Sequence, residues 1–100
     1  MKIKMDQKIL TTEGDVIKNP NNGQEMTLRS ISIDALLFPV EKDTPKEKND
    51  KYDLYKKVNV ASKIIDFTIE EVAKLKKLIG ELKPQLVMGQ AWEMLENAEK

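Results

Sequence analysis

From Lys2 to Leu10 the apolar residues Ile3, Met5 and Ile9 alternate with Lys4, Asp6 and Lys8, the period-two signature of a half-buried strand. Gln7 interrupts its apolar face. Glu13-Gly14-Asp15 has turn chemistry and Val16-Ile17 is a short β-branched pair, so the spacing predicts a hairpin with the first strand. Asn19-Pro20-Asn21-Asn22-Gly23 is the strongest turn signal in the chain, because asparagine and glycine accept positive φ and proline fixes its own. After it, Gln24 to Thr27 either forms a third short strand or runs directly into a helix.

Thr27 is placed to cap a helix from Leu28 to Phe38 whose apolar residues, Leu28, Ile31, Ile33, Ala35, Leu36, Leu37 and Phe38, cover more than one face. This predicts the most buried helix, ended by Pro39 and followed by a charged connector, Val40 to Thr44. Thr44-Pro45-Lys46-Glu47 reads as a capping box opening a second helix, expected to reach about Ser62. Its stripe is weak, Tyr52, Tyr55, Val58 and Ser62 flanked by Leu54 and Ala61, and its first two turns are expected in solvent. Ile64-Ile65-Asp66-Phe67 is a strand or an apolar linker, and Thr68-Ile69-Glu70-Glu71 is a second capping box with Phe67 set to staple to Val72. Val72, Leu75, Ile79 and Leu82 recur at helical steps opposite Lys74, Lys77 and Glu81, with Gly80 weakening the last turn. Lys83-Pro84 breaks the chain before a last helix in which Val87, Met88, Ala91, Met94, Leu95 and Ala98 make one broad apolar face bordered by Trp92. The expected fold is a single α+β domain over residues 1–100, β-rich over 1–27 and mainly helical over 28–100. An N-terminal β-hairpin or small antiparallel sheet packs with about four helices, the last two an antiparallel pair.

Composition narrows the chemistry. Of 100 residues 40% are hydrophobic and 34% charged, which predicts a folded domain with a heavily solvated exterior. Basic and acidic residues total 17 each, so no net field draws the chain to nucleic acid or anionic lipid, and neither partner is expected. Cysteine and histidine are both absent. That removes disulfides, the standard zinc sites, Ser-His and Cys-His nucleophiles and the usual near-neutral proton shuttle. The charged N-terminal residues lack the apolar run of a signal peptide and no stretch has the length of a membrane span, so a cytoplasmic protein is expected.

The remaining constellations read structurally. Glu70 and Glu71, with Asp66 four residues before Glu70, fall at a helix start where negative charge suits the macrodipole, and nothing supplies a pocket that would raise a carboxylate pKa. Asp15, Asn19, Asn21, Asn22 and Glu25 do not match the spacing of a calcium loop. Gly14, Gly23, Gly80 and Gly89 are too scattered for a phosphate cradle. Lys74, Lys76 and Lys77 form a basic cluster among acidic residues, and Arg29 is the sole arginine. No catalytic, cofactor-binding or metal residues are therefore expected. Met88, Gly89, Ala91, Trp92 and Leu95 are the candidate protein interface, small residues beside large anchors in one helix. Gly89 and Ala91 face either another helix of the same chain or a second subunit or partner.

The turn Asn21-Asn22-Gly23, the run Thr27-Leu28 leading to Ala35-Leu36-Leu37, Tyr52-x-Leu54, Phe67-Thr68-x-Glu70-Glu71 and the closing Gly89-Gln90-Ala91-Trp92 resemble small bacteriophage- and prophage-encoded proteins of unknown function. The resemblance implies a phage accessory protein working in the host cytoplasm and brings no catalytic residues with it. The expected role is non-enzymatic binding of a host or phage protein, as a host-defence inhibitor or modulator, with a homodimer through the C-terminal helix as one arrangement. A virion-assembly or tail-chaperone protein is the alternative, and a small-molecule sponge a further one.

Overall fold

A computed structural model describes residues 1–19 and 23–97. Six elements follow in the order β1 (Lys2–Lys4), α1 (Leu28–Leu37), α2 (Pro45–Val58), β2 (Ile64–Asp66), α3 (Ile69–Leu82) and α4 (Gln85–Glu96). The fold is α+β, a two-stranded antiparallel sheet packed with four helices.

The expected hairpin with Val16-Ile17 forms at its turn end, where Leu10 bridges Val16, while the start of the first strand takes a long-range partner instead. β1 pairs with β2 in the register Lys2 to Asp66, Ile3 to Ile65 and Lys4 to Ile64. This register puts buried Ile3 and Ile65 opposite each other and leaves Lys2, Lys4, Ile64 and Asp66 outside, so each strand contributes one side chain to the core. Val16 and Ile17 are only half-buried, and a local hairpin has less apolar surface to remove from water. The segment from Lys8 to Thr27 instead closes on itself through the isolated bridges Leu10 to Val16, Lys18 to Glu25 and Lys8 to Thr27. Its centre is a ring of three backbone hydrogen bonds: Ile17 N–H donates to Ile9 O at 2.8 Å, Met26 N–H to Ile17 O at 2.7 Å and Ile9 N–H to Met26 O at 2.9 Å. The expected turn after Asn19 is pinned at both ends, Asn19 N–H on Gln24 O and Gly23 N–H on Asn19 O, each at 2.8 Å. Gly23 there adopts φ +69, which glycine reaches without a Cβ clash; Pro20, Asn21 and Asn22 lie outside the described residues, as does Ala98.

Each of the three threonines read as caps occupies an N-cap. Thr27 and Ser30 exchange bonds in a full capping box, and the free N–H groups of Leu28 and Arg29 donate to Gln7 O and Met5 O, both at 2.9 Å. The start of α1 thereby anchors the N-terminal segment. At Thr44 the hydroxyl accepts from Glu47 N–H at 3.2 Å, but the Glu47 carboxylate lies 3.3 Å from that hydroxyl, so this is a simple cap with Pro45 at the first helical position. α2 ends at Val58, short of Ser62, because the backbone there must turn: Lys63 O accepts from Met5 N–H at 2.8 Å and the chain enters β2. Its buried face is Lys51, Leu54 and Val58, and Tyr52, expected on the stripe, is exposed.

Thr68 and Glu71 form the box predicted for α3. The Glu71 carboxylate also takes the Lys57 ammonium at 2.6 Å, which ties α2 to α3. Partial burial acts to raise the Glu71 pKa, but the Lys57 bond and the Thr68 backbone and hydroxyl bonds together hold it below the ordinary value. The core is continuous, from Ile3, Met5 and Ile9 through Leu28, Ile31, Leu54 and Val58 to Phe67, Leu75, Ile79, Ala91 and Leu95.

Candidate protein-binding surface

The five residues proposed as an interface from sequence separate into two groups. Ala91 and Leu95 are fully buried within the chain and are closed to any partner of the folded domain. Trp92 is half-buried and clasps α4 onto α3. Its indole Nε1–H donates to Lys76 O at 3.0 Å. The Lys76 ammonium stands 4.8 Å from the ring centroid and pairs with Glu96 at 2.8 Å. The ring lies on the bare α-carbon of Gly80, where an added Cβ would meet Trp92 Cζ2 at 3.2 Å. Gly80 is therefore the close-approach residue of the pair. Met88 and Trp92 together line an open depression of about 580 Å³ with Ala73, Lys76, Lys77, Gly80 and Glu81.

Gly89 has no packing partner, since a Cβ built there meets nothing within 4 Å. Glycine inside a helix costs about 0.5–1 kcal/mol relative to alanine. Gly89→Ala is accordingly expected to stabilise the domain by about that amount and to raise its thermal midpoint by several degrees. A lowered midpoint in a melting curve would show that the backbone at Gly89 needs its freedom.

A second surface was not singled out from the sequence. α1 buries Leu28, Ile31, Ser32, Ala35 and Leu36, a stripe that leaves the next position, Leu37, facing outward. Pro39 disfavours helical geometry at the residue before it, and Phe38 is accordingly extended at φ −64, ψ 123. Leu37 and Phe38 are each 52% exposed and Val40 37%. Four successive apolar residues, Leu37-Phe38-Pro39-Val40, thus stand at the surface, and contiguous exposed apolar area of this kind marks interaction sites.

The connector that carries them is held in place. Asp43 N–H donates to Val40 O at 3.1 Å, and the Asp43 carboxylate is ion-paired with Lys51, each side chain only 11% exposed. The Lys51 hydrogen bond is the chief reason that the Asp43 pKa lies below its ordinary value. Depressions flank the ledge on both sides: one lined by Leu37, Phe38, Pro39, Val40, Glu41, Asp43, Lys48 and Lys51, the other by Ala35, Phe38, Val40, Leu78, Glu81 and Leu82. The outer face of α3, with Lys77 and Glu81, forms a ridge between the ledge and the Trp92 depression.

The other constellations are accounted for by structure. Asp66 accepts from the Met1 amino group at 2.8 Å, which is the largest influence lowering its pKa. Arg29 donates to Asp6 Oδ1 at 2.6 Å, to Val58 O at 3.2 Å and to Ser62 O. Among the described residues no group of three or more acidic side chains could hold a metal ion, and no helix is long and apolar enough to cross a membrane. Compared with protein-family models, with curated proteins and with solved structures, the chain matches none.

Proposed function

We propose that this chain is a non-enzymatic accessory protein that acts by binding another protein, and that the Leu37–Val40 ledge is the surface it uses. The observation that carries this reading is the display of Leu37, Phe38 and Val40 on a connector fixed by the Asp43–Lys51 pair. An apolar anchor already held in its bound geometry loses little freedom on association. The setting implied by the phage resemblance is the host cytoplasm, with a host-defence protein or a virion component as the partner class.

Capture of partners by tagged chain from phage-infected host cells tests the reading. Wild type is expected to enrich one protein stoichiometrically. Phe38→Asp, at an exposed position, should lose at least about tenfold of that protein, in line with a hot-spot anchor. Ile69→Asp, 74% exposed and about 13 Å along α3 from Leu78, should lose none. Equal capture by wild type and Phe38→Asp overturns the assignment, and the captured protein, host or virion, separates the anti-defence role from assembly.

A second reading is self-association through the open depression at Met88 and Trp92, which the small residue Ala73 borders. Light scattering across a concentration range decides it, since a monomer throughout removes it. Trp92→Ala is a poor probe there, because it also breaks the clasp between α3 and α4.

A further inference from the structure

The cavity beside the ledge on its α3 side has a volume of about 190 Å³ and is lined by Ala35, Phe38, Val40, Leu78, Glu81 and Leu82. It is smaller than the roughly 300 Å³ at which pockets begin to hold a whole small-molecule ligand, and it suits one long side chain. Five of its six lining residues are apolar, and the sole charge is the Glu81 carboxylate.

Two nearby carboxylates are occupied, and Glu41, free like Glu81 among the described residues, lines the depression on the other side of the ledge. Asp43 is paired with Lys51, and Asp34 with Lys83 at 3.3 Å. Glu81 is exposed and makes no ion pair or hydrogen bond through its side chain among the described residues. Lys77, one turn before it on α3, lines the adjoining depressions and stays outside the cavity.

We infer that this cavity seats one arginine side chain presented by the partner protein. The aliphatic stem packs against Val40, Leu78 and Leu82, the guanidinium forks onto the free Glu81 carboxylate, and the exposed Phe38 ring offers its face to the same cation. Arginine fits better than lysine because its planar head meets a carboxylate and an aromatic face together and is less strongly hydrated. The arginine comes from a different protein: the chain's own Arg29 is committed to Asp6, Val58 and Ser62, so a second copy has none to offer. This inference rests on the binding reading above and names the chemistry of its partner.

The test titrates the full 15N-labelled chain with n-butylguanidinium, and separately with n-butanol as its neutral counterpart, following backbone amide shifts. n-Butylguanidinium is expected to move the amides of Ala35, Leu78, Glu81 and Leu82 with an affinity about fivefold above that of n-butanol, the size of a partly exposed ion pair. Glu81→Gln should erase that preference while the remaining spectrum stays wild type. Equal responses to the two probes, or a preference that survives in Glu81→Gln, overturn the arginine assignment and leave the ledge as a plain apolar contact. Equal capture by wild type and Phe38→Asp would instead remove the binding reading itself. Concentration-dependent dimerisation abolished by Glu81→Gln would put a lysine of a second copy in the cavity and also overturn the inference.

Discussion

Phe67→Ala is expected to cost about 3–5 kcal/mol of folding stability, the range for deleting a buried aromatic side chain. Phe67 is 2% exposed and the largest of the fully buried side chains, and it belongs to three features at once. Its N–H donates to Met1 O at 2.8 Å, extending the β1–β2 ladder by one bond. It immediately precedes the α3 N-cap Thr68, and it and buried Val72 occupy the two positions of a hydrophobic staple, which fixes how a chain enters a helix. Its ring also lies 5.2 Å from the Lys57 ammonium, which is itself paired with Glu71. A domain of this size has a total stability of about 5–15 kcal/mol, so the variant should sit close to unfolding at ordinary temperature. Chemical denaturation measures it; a loss below about 1 kcal/mol would mean that the junction of β2 and α3 relaxes around the missing ring and that the staple is not a principal support.

The elements that sequence located well are those whose signals are local. Thr27, Thr44 and Thr68 cap helices because a cap is decided within four residues. The turn chemistry at Glu13-Gly14-Asp15 located the Leu10–Val16 pairing, but the partner of β1 was hidden, because nothing near Ile3 points to Ile65. The end of α2 was hidden for the same reason, being fixed by contacts that Arg29 and Met5 make from the other end of the fold.

The candidate surface was partly legible. Leu37 and Phe38 are expected within the most buried helix and Val40 in a charged connector, but a helix burying Leu28, Ile31, Ala35 and Leu36 has no inward position left at Leu37. Gly89 and Trp92 looked like one feature because they are three residues apart. Trp92 in fact meets the glycine of the neighbouring helix, Gly80, a pairing that only the α3–α4 packing defines.

Arg29→Met should cost about 2–3 kcal/mol, the scale of losing several bonds to a charged donor, despite keeping much of the aliphatic stem. The side chain is 18% exposed and makes three contacts in three directions: Asp6 after β1, Val58 O at the last residue of α2, and Ser62 O in the turn before β2. Methionine leaves the two carbonyls without this donor and Asp6 without its counter-ion. Arg29→Lys should recover only a minor share, since one ammonium cannot reproduce a planar fork whose donors point apart. Denaturant midpoints of the two variants check this, and a lysine variant as stable as wild type would show that charge alone suffices and that the fork geometry is idle. The same three contacts commit the lone arginine to the chain's own fold. Its donors are turned inward, holding the end of α2 against the N-terminal segment, so that α1 is fixed from its first turn and the ledge at its far end is presented on a braced helix.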